Sequence, residues 1–392
     1  MTMNLRKVAV VGIGETSFGR HMERSITDLA AEACLKAIKD AGVSHRKVQL
    51  ATGAYAAQWN SALGQYFTLP QIVLREIGIT QIPIFRVENG CSSGSVAFRD
   101  VWYRIATGEY DIGLAFGVEK MNVADSKSIR GQISDHVPER DFDLGLTAAG
   151  IYAMMARRMM AQYGVTRENL AQVVVKNRRF GSMNPLAQYQ DAVTIDEVLS
   201  ARMISDPLTL YMCCGRGDGA AAVILMDAET AKQYTTHPVY VAANVLTSGT
   251  YADDVDFVTF DVDVRAAAQA YEMAGLGPED LDVAEVHDSF APAEIKHYED
   301  LGFCARGEGA RFLEEGLSDM GGKIVVNTSG GLLSKGHVIG ATGISQVCEL
   351  VKQLRGTAHH RQVEGAKVGL QHNSGGYVHT EFCSCAINIL TR

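Results

Sequence analysis

Three residues of this 392-residue chain sit at junctions of small, flexible residues, where a side chain can be held clear of packed interior. Cys91 follows a strand-like run, Ile84-Phe-Arg-Val87, and the pair Asn89-Gly90, residues that tolerate positive φ. Small residues and a helical pattern come next, so the sulfur is expected at a helix N-terminus, where the macrodipole and free N–H groups favour the nucleophilic thiolate. His337 lies in a Gly-rich turn, Gly336-His-Val-Ile-Gly340, suited to a base that takes a thiol's proton, although alone it reads equally well as a structural histidine. His287 ends the apolar run Leu281–Val286, at the carboxyl edge where open parallel sheets bind ligands, and an imidazole N–H there could meet a developing oxyanion. The segment His372-Asn373-Ser374-Gly375-Gly376 reads as a turn after another strand, with the glycine N–H groups as a second oxyanion site.

The other cysteines, Cys34, Cys213, Cys214, Cys304, Cys348, Cys383 and Cys385, read as ordinary buried residues, since none follows an Asn-Gly elbow. Neither Cys213-Cys214 nor Cys383-x-Cys385 has metal-ligand spacing with histidine partners, so no metal is expected. Arg178, Arg179 and Arg216 are candidate substrate contacts, with solvated surface charge as the plainer reading.

Strand–helix–strand units position these corners. Val8-Ala-Val-Val-Gly12 reads as a strand covered on both faces, followed by a helix over 26–41 closed by Gly42 and a strand over 48–55. The unit returns at Asp261–Gly275, a helix, followed by the strand Leu281–Val286. A second pair recurs in order: Glu88–Gly94 leads into a helix over 95–106 and the strand Ile112–Val118, and Ser334–Gly340 into a helix over 344–354 and the strand Lys367–Gln371. A duplication therefore puts Cys91 and His337 at equivalent corners of two halves. The expected division is 1–120 with 208–230 as an N-terminal half, 121–207 as an inserted loop domain, and 231–392 as a C-terminal half. Met154, Met155, Met159 and Met160 on one helical stretch of the insertion read as core packing.

Composition limits the function classes. The chain exceeds the ~250–300 residues at which single cores stop growing. Its formal charge of −9 argues against nucleic-acid binding, which needs clustered Lys and Arg. No apolar run approaches the ~18–20 residues of a membrane span, and Met1–Lys7 leads into the first strand without a signal-peptide pattern. Eight cysteines are too few for a disulfide scaffold. A soluble, cytoplasmic α/β chain is expected.

Together, Val87-Glu-Asn-Gly-Cys-Ser-Ser-Gly94, Gly117-Val-Glu-Lys-Met121, His287-Asp-Ser-Phe290, Asn327-Thr-Ser-Gly-Gly331, Gly336-His-Val-Ile-Gly-Ala-Thr-Gly343 and Gln371-His-Asn373 resemble thiolases, nearest the sterol-carrier-protein type branch that includes bacterial and archaeal acetyl-CoA acetyltransferases. The resemblance runs from Val8 to Ile389. It implies an α/β fold, duplicated and five-layered (α/β/α/β/α), with two mixed sheets and an inserted loop domain. It also implies a homodimer or homotetramer acting on CoA thioesters in lipid metabolism, with no metal or redox cofactor. By the resemblance Cys91 is acylated, His337 takes its proton, and His287 holds the thioester oxygen of a second acyl-CoA as its α-carbon becomes an enolate. The N–H groups of Cys91, Gly375 and Gly376 hold the acyl-enzyme oxyanion, Asn373 and Ser289 support the site, and Met121 is a candidate substrate contact. The departure is the second cysteine by which thiolases move the α-proton, held in a C-terminal Cys-x-Gly motif or a His-Asp-Cys-Phe motif: here the C-terminal loop reads His372-Asn-Ser-Gly375 and the other position is Ser289. A serine hydroxyl is a far weaker acid or base than a thiol.

The leading expectation is an acyltransferase that forms or cleaves a 3-oxoacyl-CoA through a Cys91 thioester. Alternatives are a relative with altered carbon–carbon chemistry, such as retro-aldol cleavage beside a zinc-ribbon/OB-fold partner protein, and a non-catalytic acyl-CoA or lipid-binding protein. The retained Cys91, His287 and His337 favour the first. Decarboxylating ketoacyl synthases share the fold, but the Gly336–Gly343 block and the inserted segment favour the thiolase side.

Overall fold

Runs that are apolar at every position, such as Val8-Ala-Val-Val, form strands buried on both faces. The computed structural model describes residues 5–56, 68–122, 145–251, 256–378 and 381–392. Its strands are β1 (Val8–Glu15), β2 (Leu50–Ala54), β3 (Ile84–Val87), β4 (Ile112–Lys120), β5 (Met203–Ser205), β6 (Leu208–Thr209), β7 (Asp218–Asp227), β8 (Val239–Ser248), β9 (Val283–Glu285), β10 (Val325–Val326), β11 (Val368–Val378) and β12 (Glu381–Thr391). The principal helices are α1 (Ile26–Asp40), α2 (Leu69–Glu76), α3 (Ser93–Ala106), α4 (Ala148–Tyr163), α5 (Arg167–Ser182), α6 (Ile195–Ser200), α7 (Asp261–Ala274), α8 (Ala291–Asp300) and α9 (Thr342–Arg355).

The strands order as β3-β2-β4-β7-β1 followed by β8-β12-β11-β9-β10. Read outward from the seam, β1-β7-β4-β2-β3 and β8-β12-β11-β9-β10 repeat one pattern: antiparallel, antiparallel, parallel, parallel. The duplication is thus visible in pairing as well as in sequence. The two mixed five-stranded sheets meet where Ala9 and Val10 pair with Tyr240 and Val239, so hydrogen bonding runs through all ten strands.

Three cores separate the layers. Ala9 and Val11 of β1 face α1 and α2 with Leu29, Ala33 and Val73, whereas Val8 and Val10 face α3 and α9 with Phe98, Val101, Ile344 and Val347. Beyond the second sheet, Ala266 and Ala270 of α7 and Ile295 of α8 pack with Ile387 and Ile389 of β12. The buried central pair α3 and α9 carries the Cys91 and His337 loops at its N-terminal ends.

Local chemistry sets the helix ends. Ser25 caps α1 through a reciprocal box with Asp28, and Gly275 ends α7 in the left-handed conformation at φ 65°. Between β4 and β7 lie α4, α5, α6 and the β5–β6 ribbon, while 123–144 of the expected insertion lies outside the described residues. On α4, Met155 and Met159 are buried in the core and Met154 is exposed. The segment 372–376 differs from its expected turn: it is the middle of β11, paired residue by residue with β12 from His372↔Ile387 to Gly375↔Ser384.

Candidate active site

The Cys91 elbow is built as its sequence suggests. Gly90 takes φ 56°, Ser93 Oγ donates to the Gly90 carbonyl at 2.6 Å, and the Asn89 amide donates back to Ser93 Oγ at 2.8 Å. Cys91 is thereby fixed two residues ahead of α3. The β11 glycines press against it: a Cβ on Gly375 would lie 2.4 Å from the Ser92 amide and 2.7 Å from the Cys91 amide. The amides of Gly376 and of Cys91 itself both donate to the sulfur, the arrangement an acyl oxyanion at that position would use.

The expected resting thiolate is corrected by the structure. Burial pushes the Cys91 thiol from 9.0 up to about 12, with Glu88 and Glu119 adding to it, despite the lowering by the two amides. That difference corresponds to about 4 kcal/mol, against the ~0.3–1 kcal/mol a helix terminus ordinarily supplies. Burial wins, and Cys91 needs a base at the moment of reaction.

His337 and His287 share the pocket with it. One ligand atom of each of Cys91, His287 and His337 lies within 4.8 Å of the others, and the imidazoles stand edge to face with centroids 5.2 Å apart. Their Nδ1 atoms are tied in opposite senses. Thr342 Oγ1 donates its proton to the Val338 carbonyl at 2.9 Å, so it accepts from His337 Nδ1, also at 2.9 Å, and His337 Nε2 keeps its lone pair. Asn373 Nδ2 donates to His287 Nδ1 at 2.9 Å, so the His287 proton sits on Nε2. One imidazole is therefore a base and the other a donor. Burial, with His337 next in effect, holds His287 well below its usual range and keeps it neutral.

The loops holding the histidines are pinned from behind. The His287 amide donates to His372 Nδ1 at 3.3 Å, and His297 Nε2 lies 3.3 Å from the His287 carbonyl. Asp288 accepts the amides of Leu332 at 2.7 Å and Leu333 at 3.3 Å, tying the His287 loop to the chain just before His337. Lys335 is held by Glu15 at 2.7 Å, a carboxylate lowered to about 2 by Lys335 and Lys352 against the burial that would raise it.

Cys91, His287 and His337 line a cavity of about 630 Å³, a size that suits a small-molecule substrate. Among the sequence candidates, Cys91, His287, His337, Ser289, Gly375, Gly376, Met121 and Arg216 line it, and Asn373 sits behind His287. Ser289 Oγ donates to Tyr152 Oη at 2.8 Å. Arg178 and Arg179 lie outside the lining: the Arg178 guanidinium stacks over Tyr189 at 4.3 Å, and Arg179 pairs with Asp319. Sequence reasoning missed Tyr152, Arg202, Cys213 and Cys214, all of which line the cavity. The strap 213–217 comes there through long-range bonds, the Cys214 amide to the Ser289 carbonyl at 3.0 Å and the His337 amide to the Gly215 carbonyl at 3.0 Å. The doubled Cys213-Cys214 was the signal available. Cys91, His287 and His337 also form a set a soft divalent ion could use, but ligation by His287 Nε2 would displace the proton that Asn373 places there.

Two family models together span most of the chain, one described as "Thiolase, N-terminal domain" over residues 8–229 and one as "Thiolase C-terminal domain-like" over 243–388. An acetyl-CoA acetyltransferase of Methanothermobacter thermautotrophicus is 44% identical over 95% of this chain and 97% of its own. A benzoylsuccinyl-CoA thiolase subunit of Thauera aromatica is 37% identical over 95% of each. Among solved structures, an Ltp2-ChsH2(DUF35) aldolase superposes with a TM-score of 0.84 at 28% identity, covering 99% of this chain and 98% of that one.

Proposed function

The chain belongs to the thiolase family and is an acyl-CoA acyltransferase; we propose that it forms or cleaves a 3-oxoacyl-CoA with Cys91 as nucleophile, His337 as proton carrier and His287 as enolate holder. The observation that carries this reading is the opposite tie of the two imidazoles beside one sulfur.

In acylation, His337 Nε2 takes the Cys91 proton as the sulfur attacks the thioester carbonyl, whose oxygen moves against the Cys91 and Gly376 amides. The carbon–sulfur bond to CoA breaks, and the departing thiolate leaves with the proton from His337. A second acyl-CoA then places its thioester oxygen on His287 Nε2–H. His337 Nε2, neutral again, takes the α-proton, the enolate carbon attacks the acyl group, and the Cys91 thiolate leaves. A thiol pushed up to about 12 is a strong acceptor, so His337 returns the proton to it and the cycle closes. Cleavage runs the same steps backward. One histidine balances the protons, so the serine at 289 does not stop the carbon–carbon step. Burial raises the Cys214 thiol well above its usual value, so it rests protonated and offers no thiolate to take the α-proton.

No metal is needed in this scheme, and the proton on His287 Nε2 supports leaving one out. A dimer or tetramer is proposed as the working unit, supported by β3, which among the described residues is an end strand of the sheet and leads toward Cys91. No helix among the described residues is long and apolar enough to cross a membrane. A reducing, CoA-containing cytoplasm suits eight cysteines that are all free. Likeness to the DUF35 aldolase favours a second reading, carbon–carbon cleavage of a CoA-linked chain beside a small zinc-ribbon/OB-fold partner. Intact-mass spectrometry after mixing with a panel of acyl-CoAs decides between them: an acyl group on Cys91, absent in Cys91→Ala, supports the transferase. Turnover without it, dependent on added partner, supports the second reading.

A further inference from the structure

Five buried polar side chains, Asn244, Asn388, Gln371, Ser95 and Asn373, run from the half-buried Arg99 to His287, each 3% exposed or less. Asn244, Asn388 and Gln371 stand opposite one another on β8, β12 and β11, a ladder of amides across three neighbouring strands. Arg99 Nη1 donates to Asn244 Oδ1 at 2.7 Å, Asn244 Nδ2 to Asn388 Oδ1 at 2.5 Å, and Asn388 Nδ2 to Gln371 Oε1 at 2.5 Å. Gln371 Nε2 donates to Ser95 Oγ at 2.9 Å, Ser95 Oγ to Asn373 Oδ1 at 3.0 Å, and Asn373 Nδ2 to His287 Nδ1 at 2.9 Å. A side branch has Gln371 Nε2 donating to Gln346 Oε1 at 2.9 Å, and Gln346 Nε2 to the His372 carbonyl at 3.0 Å.

An amide or a hydroxyl can turn either way, so a row of them has two polarities of similar energy. Two groups here cannot turn. A guanidinium only donates, and a backbone carbonyl only accepts. Reversing the row would set the Asn244 amide nitrogen against the Arg99 guanidinium, and reversing the branch would set the Gln346 carbonyl oxygen against that of His372. Both fixed groups demand the same direction, and that direction ends with an N–H pointing at His287 Nδ1.

We propose that Ser95 is a positioning residue for the condensation half-reaction, the link through which this one-way chain holds the His287 proton on Nε2, where the enolate oxygen needs it. Ser95 lies on α3, the helix that begins just after Cys91, so the nucleophile's own helix conveys the polarity of the second sheet to the histidine of the other half. The catalytic consequence rests on the acyltransferase reading above; the tautomer itself does not.

The test is long-range proton–nitrogen correlation spectroscopy of the full chain labelled with nitrogen-15 histidine, with the signal assigned by His287→Gln. The parent shows His287 protonated on Nε2 alone. Ser95→Ala frees the Asn373 amide, so a substantial fraction of Nδ1–H form appears. Its condensation kcat then falls at least about tenfold, while Cys91 acylation and its KM stay at parent values. Asn373→Asp presents only acceptors and puts a proton on Nδ1 whatever Ser95 does. A Ser95→Ala protein still wholly in the Nε2–H form, or one losing acylation and condensation by the same factor, overturns the proposal; if Ser95→Ala does not fold, an unprotonated Nδ1 in Asn373→Asp overturns it. A parent that forms no acyl-enzyme sinks the acyltransferase reading while the tautomer result stands by itself.

Discussion

His287 and His337 stand edge to face, planes 84° apart, with Nδ1 of the first accepting a hydrogen bond and Nδ1 of the second donating one. Two like side chains in one pocket are thereby made unlike. His337→Ala should abolish acyl-Cys91 by intact mass. His287→Ala should form it at near the parent rate and lose condensation by about 100-fold or more, the scale of a lost oxyanion donor. Equal loss of acylation in both variants would refute the division of roles.

A thiol at about 12 has almost no resting thiolate at neutral pH, so its reactivity depends on the base beside it. Iodoacetamide should label Cys91 first among the eight cysteines in the parent and at least about tenfold more slowly in His337→Ala. Cys214→Ser should keep turnover within a few-fold. A collapse of condensation in that variant, with acylation intact, would instead make Cys214 the carrier of the α-proton.

Gly375 sits where any side chain would strike the Ser92 and Cys91 amides, at 2.4 and 2.7 Å. Gly375→Ala should displace the elbow and its oxyanion donors, lowering kcat by about 100-fold. KM should change little. An active Gly375→Ala enzyme would show that these amides do not hold the acyl oxygen.

Burial raises the Glu119 carboxyl from 4.5 to about 8, although the Ala56 amide donates to it at 3.0 Å. Below pH 4.5 it is protonated folded and unfolded alike. Between 4.5 and 8 the unfolded chain releases the proton and the folded one retains it, so stability falls with rising pH. Glu119→Gln removes this dependence. Its Tm advantage over the parent should widen from pH 5 to pH 8, and a constant gap would place the carboxyl's titration elsewhere.

Glu15 has the opposite sign. Held near 2 by Lys335 and Lys352, it contributes stability that is present above 4.5 and lost as pH falls from there toward 2. Glu15→Gln leaves the buried Lys335 ammonium without its counter-charge and should cost about 3–5 kcal/mol at pH 7 by urea unfolding. At pH 2 the difference should largely vanish.

The corners were legible from short-range chemistry. Asn89-Gly90 before small residues, and glycines around His337, mark places where backbone must turn, and the recurring strand–helix units gave the doubled architecture. What depended on distant partners was not. Nothing near Cys213 in the chain indicates that its strap bonds to Ser289 on one side and His337 on the other. Arg178 reads as surface charge until the Tyr189 and Tyr211 rings are seen 4.3 and 5.3 Å from its guanidinium. The thiol's resting state also escaped, because a helix terminus is written locally and burial is a property of the whole fold. Residues 372–376 carry turn-forming types but pair within β11, since β12 supplies the partners that a local reading lacks.

The seam between the two sheets rests on just two residue pairs, and the reacting groups lie on opposite sides of it. A chain severed between β7 and β8 would give one fragment bearing the sulfur and another bearing both imidazoles, each chemically inert. Any activity recovered on mixing them would count reassembled molecules one by one, making catalysis a gauge of how firmly the two ancestral repeats still recognise each other.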